Sequence, residues 1–164
     1  RYLMAPMVLA RLIEEAKVSQ NDIVMNIGCG VGYELAILAQ IAKVVVGIEA
    51  NKILADKASS NMTELGIDNT FIVHAALAKG YAKQAPYDVI LFNGAIDEVP
   101  KSILDQLVDG GRVVSIVPRA DALYGSMGKA VVLERFGNIF SSIEVFDASA
   151  PVIPDFVKEK TFEF

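Results

Sequence analysis

The sequence predicts an α/β fold, in which a doubly wound and mostly parallel seven-stranded sheet carries helices on both faces and ends in an antiparallel hairpin. Three observations predict this Rossmann-like arrangement. Short apolar runs alternate with segments of helical periodicity, as they do around a parallel sheet. The first apolar run ends in a glycine-rich turn, and the chain closes on two strand-like runs that flank Gly137.

Composition narrows the class of protein. The 164 residues, 53% of them hydrophobic, are expected to form a single domain over residues 1–164. A net charge of −5 without a run of Lys or Arg argues against nucleic acid as a partner. No apolar segment reaches the roughly 20 residues that cross a bilayer, so no membrane partner is expected. A single cysteine, Cys29, is compatible with the cytoplasm, and the oligomeric state stays open.

The first half of the chain is predicted to form a lead-in helix and two strand–helix units. Pro6 suits a helix start, Asn51 a helix N-cap and Gly66 the residue after a helix. The apolar run before Glu49, which is rich in β-branched residues, is typical of a strand covered on both faces. The predicted elements are helices over residues 6–17, 33–42 and 51–65 and strands over residues 23–25 and 44–48.

The second half continues this alternation and then changes character. Phe136-Gly137-Asn138 separates two strand-like runs and predicts a tight hairpin turn. The predicted elements are strands over residues 71–73, 88–92 and 112–117, a helix over 101–107, and hairpin strands over 129–135 and 139–146. No repeat or linker divides the chain, so these elements belong to one sheet.

The glycine-rich turn is the first candidate for a ligand site. Gly28-Cys29-Gly30-Val31-Gly32 follows the first predicted strand, where an open α/β sheet binds its ligand. Glycines let a ligand approach the backbone, and the next helix offers free N–H groups. Glu49 ends the second strand, where a carboxylate can accept hydrogen bonds from both ribose hydroxyls of an adenosine. The alternative is a plain turn with a solvated strand-end charge.

Two features favour S-adenosylmethionine over a nicotinamide dinucleotide as the cofactor. The dinucleotide fingerprint is G-x-G-x-x-G, whereas the third glycine of this turn is Gly32 and Tyr33 follows it. The segment over residues 107–114, LVDGGRVV, also resembles the turn into the fifth strand of class I methyltransferases. A dehydrogenase remains a distant alternative.

Several segments resemble the protein-L-isoaspartate O-methyltransferase family up to about Pro118. They are Ala5-Pro6-Met7-Val8-Leu9-Ala10-Arg11, Ile27 to Tyr33, Ala85-Pro86-Tyr87-Asp88-Val89-Ile90 and Glu98-Val99-Pro100. The resemblance implies methyl transfer from S-adenosylmethionine to an isoaspartyl carboxyl, as in protein repair, and an upstream helical segment. It leaves the order of the last two strands open, because this family is known for swapping them.

The resemblance also implies a set of cofactor-binding residues and no metal. That set is Asn26, Gly28, Cys29, Gly30, Val31, Gly32, Glu49, Ala50, Ala76, Leu77 and Asn93. Asn26 and Ala76 each stand at a position where the family has an acidic residue. Leu77 is expected to contact the adenine ring through its backbone N–H.

The serine of the family's Thr-x-Ser-x-Pro motif is replaced by Met4, so the catalytic residue is unknown. A thioether cannot donate a hydrogen bond to a carboxylate, and isoaspartyl methylation is therefore expected to be slow or absent. The substrate pocket is expected between residues 2–7 and 93–99, with Met4 making it apolar. The acceptor is a protein or peptide, or a small molecule.

Three interpretations remain open: an isoaspartyl-type enzyme, a methyltransferase with another substrate, and a non-catalytic cofactor-binding or interaction module. His74 is a conceivable general base, although a structural role is the simpler one. Asp97 and Glu98 with Asn93 resemble surface carboxylates more than a metal site. Tyr124 and Met127 are placed in a loop that covers the substrate or is anchored by them.

Overall fold

The computed structural model describes residues 3–119 and 127–157 of the chain. Its helices in these ranges are α1 (Pro6–Ala16), α2 (Tyr33–Leu38), α3 (Lys52–Glu64) and α4 (Lys101–Leu104). The strands are β1 (Ile23–Ile27), β2 (Val44–Glu49), β3 (Thr70–His74), β4 (Tyr87–Ala95), β5 (Leu107–Pro118), β6 (Gly128–Phe136) and β7 (Ile139–Ala148). One-turn 3₁₀ helices lie at Leu77–Lys79, Ala82–Gln84 and Pro154–Phe156.

All seven strands form one sheet in the order β3-β2-β1-β4-β5-β6-β7. The strands from β1 to β5 run parallel, while β6 and β7 are antiparallel to their neighbours. The predicted doubly wound sheet and the C-terminal hairpin are confirmed. The order of the last two strands, which the sequence left open, follows the chain: β6 lies between β5 and β7.

The core consists of one apolar layer on each face of the sheet. Leu9 of α1, Leu35 of α2 and Met62 of α3 belong to the first layer. Leu77 and Ile103, from the connections on the opposite face, belong to the second. Val24 of β1 is fully buried, as are its partners in the two flanking strands, so β-branched residues suit the centre of this sheet.

Strand β1 lies at the point where the chain changes direction across the sheet. From β1 the chain moves outward through β2 to β3, and it then returns to β4 on the other side of β1. In open α/β sheets a crevice forms at this point beyond the carboxyl ends of the strands. The glycine-rich turn after β1 and the end of β4 therefore meet there.

Local signals in the sequence account for the helix ends. Pro6 begins α1, and the Asn51 side chain accepts hydrogen bonds from the N–H groups of Ile53 and Leu54 at the start of α3. After α3, Gly66 adopts a left-handed conformation with φ 66°. The predicted starts of both helices and the stop after α3 are confirmed.

Two predicted helices are shorter than expected. The helix predicted over residues 33–42 ends at Leu38, and the backbone then tightens into a turn in which the N–H of Ile41 donates to the carbonyl of Leu38. The helix predicted over residues 101–107 ends at Leu104. Two residues later, the Gln106 carbonyl accepts a hydrogen bond from the N–H of Tyr87 at 2.8 Å, and the chain continues as β5. Within the described ranges, no helix is long and apolar enough to cross a membrane.

Candidate functional site

The turn between β1 and α2 is held by hydrogen bonds to three other segments of the fold. The N–H groups of Gly28 and Cys29 donate to the Ile48 carbonyl at the end of β2, at 2.8 and 3.1 Å. From α3, the Asn61 side chain donates to the Val31 carbonyl at 2.9 Å. The Asn93 side chain at the end of β4 donates to the Gly28 carbonyl at 3.0 Å. The turn is thereby fixed to β2, α3 and β4.

Two glycines of this turn serve different purposes. Both have left-handed φ angles, 57° at Gly30 and 93° at Gly32, which suit glycine. A Cβ atom on Gly32 would lie 3.0 Å from Cε of Met62, so this glycine permits close packing against α3. A Cβ atom on Gly30 would meet no heavy atom of the described residues within 4 Å. The backbone of Gly30 therefore faces open space.

Glu49 at the end of β2 is bound to this turn through its carboxylate. Its Oε2 accepts from the N–H of Gly30 at 2.8 Å, and its Oε1 accepts from the N–H of Asn51 at 3.0 Å. The residue is fully buried. Each carboxylate oxygen can accept more than one hydrogen bond. A solvated strand-end charge, the plainer expectation for Glu49, is wrong.

Two amide oxygens at the ends of β1 and β4 find no hydrogen-bond donor among the described residues. They are Oδ1 of Asn26 and Oδ1 of Asn93, both buried. The Asn26 amide nitrogen donates to the Leu91 carbonyl at 3.4 Å, so its oxygen points away from that strand. Buried acceptors without a partner cost free energy, about 1–3 kcal/mol each. Both would be satisfied by a ligand with N–H or O–H donors.

The other predicted cofactor residues lie around the same end of the sheet. Ala50 is exposed and its carbonyl lies 3.0 Å from Nε2 of His74, so the histidine links the ends of β2 and β3. Ala76 is exposed, and Leu77 is buried in the second core layer. Cys29 is fully buried. A packing role for Cys29 and a structural role for His74 agree with these positions.

Met4 is almost entirely buried. It is 3% exposed and packs in the core layer that contains Leu9 and Ala95. The side chain turns inward, whereas Leu3 is 57% exposed. The expectation that the Met4 thioether makes a substrate pocket apolar stays a prediction. Tyr2 and Tyr124 fall outside the described residues, and Met127 is 51% exposed.

Asp97 and Glu98, the carboxylates after β4, do not belong to a cluster of metal-ligand side chains among the described residues. Among the residues that the structure describes, no three His, Cys, Asp or Glu side chains are grouped to hold a metal ion. The backbone N–H of Asp97 instead donates to the Phe156 carbonyl at 3.3 Å. This contact ties the segment after β4 to the C-terminal 3₁₀ helix.

Two positions that shape the turn were missed in the sequence. Asn61 lies in the middle of α3, and nothing in its local pattern shows that it reaches the turn. Gly47 offered a signal, because it interrupts the β-branched run of β2. A Cβ atom there would lie 2.7 Å from Cδ1 of Leu35 and 3.0 Å from Sγ of Cys29. Gly47 therefore makes room for α2 and the turn to pack on the sheet.

Known proteins are similar to this chain in sequence and in fold. The family model for protein-L-isoaspartate(D-aspartate) O-methyltransferase matches residues 1–127. A protein-L-isoaspartate O-methyltransferase from Helicobacter pylori strain J99 is 36% identical over 115 residues, which cover 70% of this chain and 55% of the relative. The chain thus spans about half the length of the curated relatives it matches.

Solved structures agree in fold. A protein-L-isoaspartate O-methyltransferase superimposes with a TM-score of 0.82 at 24% identity, covering 90% of this chain and 47% of that one. A Plasmodium falciparum protein, solved in complex with S-adenosyl-L-homocysteine, superimposes with a TM-score of 0.75 at 18% identity. The match covers 92% of this chain and 75% of the Plasmodium chain. The family match extends over more than half of the residues. This chain belongs to the protein-L-isoaspartate(D-aspartate) O-methyltransferase family.

Proposed function

We propose that this chain binds S-adenosylmethionine at the carboxyl ends of β1, β2 and β4 and takes part in methyl transfer to a protein or peptide acceptor. The observation that carries the proposal is the Glu49 carboxylate, which is hydrogen-bonded to the N–H of Gly30 in the turn that follows β1. An acid at the end of β2, fixed against a glycine turn, fits an adenosine whose ribose lies across that turn.

The residues at this edge of the sheet fit both halves of the cofactor. The Glu49 carboxylate has the acceptor chemistry that ribose hydroxyls require. Oδ1 of Asn26 and Oδ1 of Asn93 are buried acceptors that lack a donor among the described residues, and an ammonium group supplies such donors. The open space in front of Gly30 allows a ligand to approach the backbone. We assign these four residues to cofactor binding, with Gly28, Cys29, Val31 and Gly32 forming the turn.

Three further residues complete the proposed set around the adenine. Ala50 follows Glu49, and Ala76 and Leu77 follow β3 on the neighbouring part of the same edge. The Leu77 side chain is buried, so only its backbone is available for a polar contact with the ring. The small and exposed Ala76 leaves room beside it.

The cofactor supplies an electrophilic methyl group, and the chain's task is to align the acceptor with it and to exclude water. Such an in-line displacement requires no strong base from the protein, so the methionine at position 4 does not preclude transfer. It removes a donor, because a thioether cannot hydrogen-bond a carboxylate. We therefore expect isoaspartyl acceptors to react slowly and leave open a different protein, peptide or small-molecule acceptor.

A non-catalytic cofactor-binding module is the second candidate. The observation that favours it is the burial of Met4, which is 3% exposed and packed in the core. Its side chain has neither the chemistry nor the exposure to contact an acceptor. Under this alternative the binding residues keep their roles, and no methyl group is transferred.

An assay with S-adenosylmethionine labelled on its methyl group separates the candidates. The acceptors are an isoaspartyl peptide and the same peptide with ordinary aspartate, and binding of S-adenosylhomocysteine is measured in parallel. The proposed function predicts binding together with slow incorporation of label, or incorporation into another acceptor from a mixture of aged proteins. Binding without any transfer supports the module, and failure to bind contradicts both candidates.

A further inference from the structure

The β7 strand forms one edge of the sheet. Within residues 3–119 and 127–157, β7 pairs only with β6, so the hydrogen-bonding groups on its outer side have no strand partner there. The side chains from Ile139 to Glu144 are all exposed. Exposed edges of this kind are templates for pairing with another strand.

The first five residues of this edge lack the features that prevent edge-to-edge pairing. Natural proteins protect such strands with charged side chains, proline or bulges. The segment Ile139-Phe140-Ser141-Ser142-Ile143 contains neither charge nor proline, and the first charge along it is Glu144. The irregularity in the β6–β7 ladder lies beyond it, where Val145 has no opposite residue. A regular and neutral stretch of strand is therefore available.

One face of the hairpin presents a row of apolar side chains. Val132 of β6 is buried in the same core layer as α1, and it pairs with Ile143, so Ile143 projects from that face. Side chains alternate along a strand, which places Ile139 on the same face, opposite Phe136. Exposed fractions of 54% for Phe136, 71% for Ile139 and 58% for Ile143 leave this row in contact with solvent.

The hairpin turn determines which backbone groups face outward. Phe136 and Ile139 flank a two-residue turn, and residues in that position exchange hydrogen bonds with each other. The backbone N–H and C=O groups of every second residue, counted from Ile139, therefore form hydrogen bonds with β6. The N–H and C=O groups of Phe140, Ser142 and Glu144 point away from the sheet.

We propose that β7 pairs antiparallel with β7 of a second copy of this chain, around a twofold axis at Ser141. In this register Phe140 of each copy exchanges backbone hydrogen bonds with Ser142 of the other. Ile139 lies opposite Ile143 on both sides of the axis, so the apolar row of one copy meets that of the other. Cross-strand pairs of this type stabilise a sheet. The two seven-stranded sheets become one continuous sheet.

The order of neutral and apolar side chains along β7 favours a second copy as the occupant, because this order is complementary to itself. Each copy carries a net charge of −5, which opposes association elsewhere on the surface, so two copies would pair where charge is low. The register that centres on Ser141 places Glu144 opposite Asn138 and keeps the two glutamates apart. A register centred on Ser142 would instead oppose Ile139 with Val145, at the ladder irregularity, and Phe140 with Glu144. The neutral segment thus pairs best with itself.

Two cysteine variants of the full 164-residue chain test the register. Across the axis, the Cα atoms of Ser141 would lie about 4.5 Å apart in a non-hydrogen-bonded pair, within disulfide range. Ser142 is equally exposed but would lie diagonally across from its copy, at roughly 7–8 Å, which is too far. Under mild oxidation, Ser141→Cys is expected to form a disulfide-linked dimer and Ser142→Cys to remain mostly unlinked. Equal linking of the two variants, or none, would overturn the proposal.

Sedimentation supplies an independent measurement. The wild-type chain should sediment at twice its 17.7 kDa mass. Ile143→Lys should sediment as a monomer with an unchanged melting temperature, because Ile143 is 58% exposed and its replacement leaves the core intact. A wild-type chain that stays monomeric up to about 100 µM contradicts the proposal, as does a dimer that Ile143→Lys does not weaken.

Discussion

The carboxylate of Glu49 and the backbone N–H of Gly30 form a hydrogen bond of 2.8 Å that joins the end of β2 to the turn after β1. The other oxygen of Glu49 accepts from the N–H of Asn51, which caps α3. One buried acid thus sets the relative positions of a strand end, a glycine turn and a helix start. This edge of the sheet is organised by the protein's own contacts, so a ligand that bound there would meet a preformed set of acceptors.

Gly30→Ala should impair ligand binding more than stability. Its φ of 57° makes a side chain cost about 1–2 kcal/mol, and the added methyl would occupy the open space in front of the turn. Gly66→Ala is a matched control, with φ 66° and similarly open surroundings after α3. Urea unfolding should show comparable losses for both variants, whereas calorimetry with S-adenosylhomocysteine should show weaker binding only for Gly30→Ala. Equal affinities in the two variants would place the ligand elsewhere.

Asn26→Asp should strengthen cofactor binding and weaken the unbound fold. A hydrogen bond to a charged group contributes about 1 kcal/mol more than a neutral one, which corresponds to roughly fivefold tighter binding of S-adenosylhomocysteine. Without ligand, a carboxyl at this fully buried position is expected to have a raised pKa. Protonation of the introduced carboxyl then stabilises the folded state of the Asn26→Asp variant. This stabilisation is complete below the pKa of the carboxyl in the unfolded state and is lost as pH rises through its pKa in the folded state.

Urea unfolding of the Asn26→Asp variant between pH 5 and pH 8 checks this sign, with Asn21→Asp as a control on an exposed asparagine outside the glycine turn. The free energy of unfolding of Asn26→Asp should fall as pH rises, relative to wild type. Unchanged affinity together with unchanged stability would show that Asn26 is not near an ammonium group and is not desolvated.

The Tyr87 hydroxyl should make stability depend on alkaline pH. It donates to the Tyr81 carbonyl at 2.7 Å, and burial, with a smaller contribution from the nearby Tyr81, raises the pKa of Tyr87 above its usual value of 10.0. The folded state therefore holds the proton more tightly than the unfolded state. This contribution to stability is complete below pH 10 and is lost as pH rises above it.

Tyr87→Phe tests the effect by urea unfolding at pH 8 and pH 11. At pH 8 the variant should lose about 1 kcal/mol with the hydrogen bond. The wild-type chain should lose stability between the two pH values, and the variant should lose less. A parallel decline in the two proteins would assign the alkaline sensitivity to other groups.

Local patterns in the sequence predicted most of the fold. Pro6, Asn51 and Gly66 act on their own backbone or on that of near neighbours, so the helix ends that they determine could be identified without tertiary contacts. The hairpin depended on a two-residue turn at Gly137-Asn138, which is also local. The shortened α4 could not be identified in this way, because it ends where Gln106 bonds to Tyr87, a contact between elements.

The candidate site was predictable in its position but less so in its chemistry. The first strand, the glycines after it and Glu49 predicted a ligand site at one edge of the sheet, and the structure brings these residues together there. The hydrogen bond between the Glu49 carboxylate and the turn could not be predicted, since it depends on the register of β1 and β2. The inward orientation of Met4 depends on how the segment before α1 packs against the sheet, for which the local sequence carries no signal.

Calorimetric titration with S-adenosylhomocysteine and, separately, with NADH tests the central claim most directly. The titrations are made on wild type, on Glu49→Ala and on the control variant Glu64→Ala, whose residue lies on the exposed side of α3. The account predicts that wild type binds S-adenosylhomocysteine but not NADH. It also predicts that Glu49→Ala binds roughly ten- to a hundredfold more weakly, because a hydrogen bond to a charged group contributes about 1.5–3 kcal/mol. Melting curves and a Glu49→Gln variant show whether the turn stays folded. Binding of NADH in place of S-adenosylhomocysteine, or equal affinities for Glu49→Ala and Glu64→Ala, would contradict the account.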